Sequence, residues 1–111
     1  MVRNERFDRI KAMHPDWSDE QVWMAVSLDM QQDATINQKG NDINPNDPDI
    51  WAEIIDKAKD WLEAVLPIVY EKVRELFSVL LANLKKWIEK GITSITEWLL
   101  EVFGRRGGGF I

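Results

Sequence analysis

The sequence predicts an all-α protein: an N-terminal helical hairpin, a polar linker, and then a long, kinked amphipathic helix that forms an oligomeric helical bundle or coiled coil. Three observations predict this fold. Apolar residues recur every eleven positions from Trp51 to Phe103, the first fifty residues contain helix start and stop signals, and a stretch rich in Asn, Asp and Pro separates the two regions. We divide the chain into a hairpin (1–32), a linker (33–49), a long helix (50–103) and a flexible tail (104–111).

The first helix of the hairpin is predicted over residues 3–13. Phe7, Ile10 and Met13 (or His14) follow one another at helical spacing, so they share one side of the helix. Pro15 stops the helix because it has no backbone N–H to continue the ladder.

The second helix has a complete start signal. Ser18 is a good N-cap, and Gln21 three residues later can close a capping box, while Trp17 and Val22 form the expected hydrophobic staple. We expect the helix to run from Asp19 to about Gln32. Its buried side is predicted to contain Val22, Trp23, Val26 and Met30.

The turn Met13-His14-Pro15, followed by this capped helix, resembles the first two helices of ubiquitin-binding CUE-type domains. The third helix that completes that fold is missing at the expected distance in this sequence. The resemblance therefore implies a helical hairpin, and no function is carried over.

The linker, residues 33–49, contains only Ile36 and Ile43 as large apolar residues. It ends in a helix start, with Asp47 as N-cap and Pro48 at the first helical position. Part of it also matches a calcium loop: the residues at loop positions one, three, five and twelve are Asp42, Asn44, Asn46 and Glu53. Asp47 stands where that loop needs glycine, so we favour the helix start, and we expect no cofactor.

The long helix has an apolar stripe with a period of eleven residues, or ~3.67 residues per turn, which keeps the stripe on one face with little supercoiling. Pro67 predicts a kink, because proline removes one backbone hydrogen bond. Gly91 is a candidate helix end, with Ser94 and Glu97 as a capping box for a new helix. Because the pattern continues in phase through both positions, we expect a kink at Pro67 and at most a very short interruption at Gly91.

The length of this helix predicts self-association. Fifty-three helical residues would be about 80 Å long, against a diameter of about 26 Å for a globule of this size. The stripe must either fold back at Gly91 or Pro67 or meet copies of itself, and we favour the second. The predicted oligomer interface consists of Trp51, Ile55, Leu62, Val65, Val69, Val73, Leu76, Leu80, Leu84, Trp87, Ile88, Ile95, Trp98, Leu99 and Val102.

Catalytic signals are missing from the sequence. There is no cysteine, and the one histidine, His14, has no second side chain to act on. Phosphate loops, nucleophile elbows and zinc-protease motifs do not occur. The carboxylates of Glu71 and Glu75 are interleaved with Lys72 and Arg74, which is typical of a solvated helix face. We therefore expect no enzyme.

Charge and hydropathy restrict the classes of partner and the cellular locations that we expect for this protein. Residues 1–50 carry five Lys/Arg and ten Asp/Glu, and residues 51–111 carry nine of each, which argues against general nucleic-acid binding. The N-terminus lacks the apolar core of a signal peptide, and the longest uncharged run of the helical half falls short of the ~20 residues that span a bilayer. We expect a cytoplasmic or virion protein that is not secreted through a signal peptide.

The tail begins with a helix-ending glycine and continues with Arg105, Arg106, three glycines, Phe110 and Ile111. Three interpretations stay open. The tail is disordered, its Phe-Ile end fills a pocket of a neighbouring subunit, or its Arg-Gly stretch contacts nucleic acid weakly.

These features predict a non-enzymatic structural or assembly protein that self-associates through its long helix, such as a component of a virion or another large particle. The N-terminal hairpin would reach a protein partner. Two other functions remain open: a membrane-surface protein that inserts its Trp-lined face into lipid, and a monomeric helical module that binds a partner in a groove.

Overall fold

The computed structural model describes residues 4–40, 44–66 and 70–104, and within these ranges it contains five α-helices and no strand. The helices are α1 (Glu5–Met13), α2 (Asp19–Lys39), α3 (Pro48–Val65), α4 (Tyr70–Glu89) and α5 (Ile95–Phe103). They pack into one body of 35 × 29 × 25 Å with a Cα radius of gyration of 13.4 Å. The predicted all-α class is therefore confirmed. None of the helices in the described ranges is long and apolar enough to cross a membrane.

Side-chain caps start α1 and α2. The Asn4 side chain accepts a hydrogen bond from the backbone N–H of Phe7 at 3.0 Å. The capping box of α2 is confirmed: Ser18 Oγ accepts from the Gln21 N–H at 3.2 Å, and Gln21 Oε1 accepts from the Ser18 N–H at 2.9 Å. The first N–H groups of a helix have no acceptor within the helix, and these side-chain bonds satisfy them. The caps therefore fix the residues at which α1 and α2 begin.

An ion-pair cluster holds α1 against α2. The guanidinium of Arg6 hydrogen-bonds to the carboxylate of Asp29 and lies 2.8 Å from that of Asp33. The pKa of Arg6 is raised above its ordinary value, chiefly by the hydrogen bond to Asp33 and then by the one to Asp29. Arg6 therefore stays charged throughout the usual pH range and joins the two helices along one edge.

Helix α2 lies at the centre of the fold, in contact with each of the other four helices. It continues to Lys39, seven residues beyond the predicted end at Gln32, before Gly40 at φ +73°. Val22 and Val26 are buried as predicted, whereas Trp23 is only half-buried. Because α2 is covered on several faces, it also buries residues outside the predicted stripe, including Met24, Ala25 and Leu28.

The prediction of one kinked helix over residues 50–103 is corrected by the structure, which contains three helices there. Helix α3 ends at Val65 and α4 begins at Tyr70; Pro67, the predicted kink, and Val69 lie outside the described residues. A proline is unfavourable inside a helix because its ring clashes with the carbonyl four residues earlier. Here α3 stops before that position is reached.

Gly91 ends α4 in a reversing turn rather than allowing the helix to continue. Its φ is +89°, its N–H donates to the Ile88 carbonyl at 2.9 Å, and the Ile92 N–H donates to the Trp87 carbonyl at 2.9 Å. This pair of bonds is the Schellman motif, which closes a helix C-terminus. The eleven-residue apolar repeat continues in phase across Gly91, and this continuity did not exclude a break. The turn occupies residues 90–94 of the repeat, and the helices on either side each still need one apolar face.

The apolar stripe forms the core of a single chain. Of the fifteen predicted interface residues, Ile95 is half-buried, Val65 is 46% exposed, and Val69 lies outside the described residues. The other twelve are buried: Trp51, Ile55, Leu62, Val73, Leu76, Leu80, Leu84, Trp87, Ile88, Trp98, Leu99 and Val102. The physical reason given for self-association, a stripe too long for its own chain to cover, therefore does not hold. Self-association itself stays a prediction.

Candidate functional site

The candidate site is an open cleft of about 480 Å³ between α1, α2, the turn before α3 and the start of α5. We call it the α1–α5 cleft. Residues from four separate parts of the chain line it: Arg9, Ile10, Met13, His14, Trp17, Ala25, Asp29, Gln32, Pro45, Trp51, Thr93, Ser94, Ile95, Thr96 and Leu99. Its volume lies within the range of ordinary ligand pockets, about 300–1,000 Å³.

The end of α1 forms one wall of the cleft. Helix α1 closes at His14, whose backbone N–H donates to the Ile10 carbonyl at 2.9 Å. The imidazole of His14 then stacks on the indole of Trp17, with ring centroids 3.8 Å apart and an interplanar angle of 5°. Trp17 is 3% exposed and anchors this wall in the core, whereas Met13 at the rim is 61% exposed. This wall therefore consists of the buried Trp17 ring and the solvent-exposed Met13 side chain.

The opposite wall is the start of α5. Ser94 caps this helix by accepting a hydrogen bond from the Glu97 N–H at 3.0 Å, which is one of the two bonds of the predicted capping box. The hydroxyl-bearing residues Thr93 and Thr96 flank the cap and line the cleft. The positive end of the α5 dipole points to this side, so the rim favours hydrogen-bond acceptors of a ligand.

Two tryptophans tie the loops of the cleft to the helices. The indole N–H of Trp51 donates to the Pro45 carbonyl at 3.1 Å, and that of Trp98 donates to the Ile92 carbonyl at 2.9 Å. The two rings meet edge to face with centroids 4.9 Å apart. Because both rings are buried, the turn before α3 and the turn before α5 are held in fixed relation to each other.

An arginine–aspartate pair provides the charge at the edge of the cleft. Arg9 lies 3.5 Å from the carboxylate of Asp29, which also accepts a hydrogen bond from Arg6. The Asp29 carboxylate is therefore shared by two guanidinium groups. The cleft therefore combines nearly buried apolar side chains, such as those of Ile10 and Leu99, with hydrogen-bonding and charged groups.

The structure brings only part of the predicted interface to the cleft. Trp51, Ile95 and Leu99 line it, and the remaining buried members lie in the core. The sequence did not indicate the contributions of Arg9 and Asp29, because their partners lie in other helices and carry no local signal. The one signal that was available is the short spacing of His14 and Trp17 around Pro15.

The residues of the calcium hypothesis are engaged in local contacts. The Asn44 side chain accepts a hydrogen bond from the Asn46 N–H at 2.9 Å, and Glu53 pairs with Lys57 at 3.4 Å along α3. Asp42 lies outside the described residues. Within the described ranges no three His, Cys, Asp or Glu side chains are grouped to hold a metal ion. The Asp47 side chain accepts a hydrogen bond from the Asp49 N–H at 2.9 Å, which is the cap that starts α3. Calcium binding stays a prediction.

Comparison with known proteins assigns no family to this chain. No protein-family model, curated protein or solved structure matches it. A fold class alone does not imply a function, so the function has to be argued from the geometry of the site.

Proposed function

We propose that the protein is a non-enzymatic helical module that binds a segment of a partner protein in the α1–α5 cleft. The observation that supports this proposal is an open cleft, lined by both apolar and polar side chains, on a chain whose long apolar stripe is already covered internally. Of the functions that the sequence left open, a module that folds back on itself and binds in a groove fits this arrangement best.

The chemistry of the cleft favours one kind of partner segment. The floor, which includes Ile10, Trp17 and Leu99, suits a single large aliphatic or aromatic side chain as an anchor. The rim adds Thr96 and the Arg9–Asp29 pair, which suit the polar backbone and side chains on either side of that anchor. The exposed Met13 side chain can adapt to anchors of different shape, as methionine does at binding surfaces.

Selection from a library of random twelve-residue peptides displayed on phage tests the proposal. The bait is the whole chain, and the comparison is with Thr96→Arg, which places a bulky charge at the exposed rim of the cleft. Ala82→Arg on the exposed side of α4 is the matched control, since it adds the same side chain away from the cleft.

The proposal predicts that selected peptides share one large apolar residue. Thr96→Arg should weaken their binding at least tenfold, about 1.4 kcal/mol, because an anchored side chain would meet the new charge. Ala82→Arg should leave binding within twofold. Peptides that bind both variants as well as the original chain, or a selection that enriches no sequence, would reject the cleft as the binding site.

A second candidate function is self-association through the end of α3. Val65, a member of the predicted oligomer interface, is 46% exposed, and its neighbours Trp61 and Leu66 are half-buried. Such a cluster favours contact with a second copy. Light scattering over a range of protein concentrations tests this. A mass that rises above 13.0 kDa, and returns to it in Val65→Lys, would support the second candidate; one chain per particle throughout would reject it.

A further inference from the structure

Met13 is an exposed apolar residue within the lining of the α1–α5 cleft. It is the last residue of α1, and it is 61% exposed. Among the described residues, the only other large apolar side chain with comparable exposure is that of Val65. Beside Met13, the His14 imidazole stacks on the buried Trp17 indole, so the wall behind it is fixed. Both solvent and a bound segment therefore have access to the Met13 side chain.

The other described methionines are less exposed than Met13. Met24 is 0% exposed, and Met30 is half-buried against the core. Met1 lies outside the described residues. Because oxidation of a methionine follows its exposure to solvent, Met13 should react before Met24 and Met30 while the chain is folded. Met13 is not part of the core, so its oxidation should leave the fold intact.

We propose that Met13 is an oxidative modification site that controls binding in the α1–α5 cleft. A peroxide converts its thioether to the sulfoxide, and the oxidised cleft holds the partner segment less tightly. The sulfur loses two electrons and forms a bond to one peroxide oxygen; the O–O bond breaks, and the other oxygen leaves as water. The proposal rests on the proposed function, because an effect on binding requires a segment that binds there.

The physical reason for weaker binding is the polarity of the sulfoxide. Oxidation converts a flexible apolar side chain into a polar one. An apolar anchor that covers the thioether breaks no strong hydrogen bond, whereas one that covers the sulfoxide removes water from a strong acceptor. Ile10, which lies one turn earlier on α1 and also lines the cleft, has no side-chain donor to replace that water. The loss of affinity should therefore be about fivefold or more.

Peptide mapping of the folded chain during exposure to hydrogen peroxide tests the chemical step. Residues 12–39 form one tryptic peptide that contains Met13, Met24 and Met30, so its fragment ions compare the three side chains within one molecule. Met13 should be oxidised about tenfold faster than Met24. A selected peptide that contains no methionine, added beforehand, should slow the oxidation of Met13 and leave that of Met30 unchanged. Circular dichroism verifies that the oxidised chain keeps its helices.

Binding of the selected peptides, measured after the peroxide has been removed, tests the effect on the cleft. Oxidation should weaken binding about fivefold or more, and treatment with a methionine sulfoxide reductase should restore it. Met13→Leu keeps a large apolar side chain, so it should bind within about twofold of the original chain both before and after peroxide. Met30→Leu is the matched control and should remain as sensitive to peroxide as the original chain.

Three results would overturn the proposal and leave the proposed function standing. They are oxidation of Met13 no faster than that of Met24, equal binding of peptides to the native and the oxidised chain, and undiminished sensitivity to peroxide in Met13→Leu. A selection that enriches no peptide would instead overturn the proposed function and this proposal together.

Discussion

The indole rings of Trp51 and Trp98 meet edge to face in the core, and each donates its N–H to a carbonyl of the turn that precedes its own helix. The two residues lie 47 positions apart in sequence. Their contact joins the start of α3 to the start of α5, so both turns at the α1–α5 cleft depend on one aromatic pair. Such pairs contribute about 0.5–1.5 kcal/mol beyond the area they bury.

Trp98→Phe should lower the free energy of unfolding by about 1–3 kcal/mol, because it shortens a fully buried side chain and removes the hydrogen bond to Ile92. Trp61→Phe, at a half-buried position, is the matched control and should cost less than about 1 kcal/mol. Urea denaturation followed by circular dichroism measures both. Equal losses for the two variants would contradict the role given to Trp98.

Leu80→Asp should unfold the chain rather than dissociate an assembly. Leu80 is 0% exposed within a single chain. An unpaired carboxylate buried there should lower the free energy of unfolding by about 4 kcal/mol or more. That is comparable to the total stability of a small domain. Size-exclusion chromatography with circular dichroism should show an expanded chain with reduced helix content. Ala82→Asp, two positions away and exposed, should stay folded. If the unsubstituted protein is an oligomer and Leu80→Asp is a folded monomer, the result would instead support the predicted oligomer interface.

Gly91→Ala should destabilise the protein by about 1–2 kcal/mol. The cause is the backbone conformation alone: φ is +89°, and an added Cβ would have no atom within 4 Å. Thermal unfolding compares Gly91→Ala with the neighbouring Lys90→Ala as its control. Lys90 is exposed, so its replacement should change the free energy of unfolding by less than about 0.5 kcal/mol. An unchanged melting temperature in Gly91→Ala would mean that the Schellman turn is not required.

Arg6→Met should cost about 0.5–1 kcal/mol, because it keeps the apolar stem of the side chain but removes the partly exposed pairs with Asp29 and Asp33. Most of this loss should disappear in 1 M NaCl, where such pairs are screened. Lys85→Met on the exposed face of α4 is the control. Urea titrations at low and high salt give the comparison, and a loss that does not depend on salt would point to packing instead of charge.

Local signals in the sequence predicted the helix starts well, because a cap is a contact between residues three positions apart. Ser18 forms the predicted capping box with Gln21, Asp47 caps α3 ahead of Pro48 as predicted, and Ser94 caps α5 through one bond of its predicted capping box. Gly91 was recognised as a candidate helix end. Its effect was underestimated because the apolar repeat continues in phase across it.

The α1–α5 cleft could not be predicted in the same way. Its walls come from segments as distant as Met13 and Thr96, and neither residue has a sequence signal that points to the other. The sequence also did not predict the length of α2, since the stretch from Asp33 to Lys39 is mostly polar and its helical state depends on continuation from the buried turns before it.

Taken alone, the order of residues determined the helical class, the caps and the apolar face of each segment, because these depend on neighbours within one or two helical turns. Only the tertiary structure decided what covers the apolar faces. Helix α2 and the packing of α3, α4 and α5 on one another provide that cover within one molecule, at a cost in loop entropy that grows slowly with length. The periodicity of a stripe records that it must be buried and contains no information on whether its own chain or another buries it.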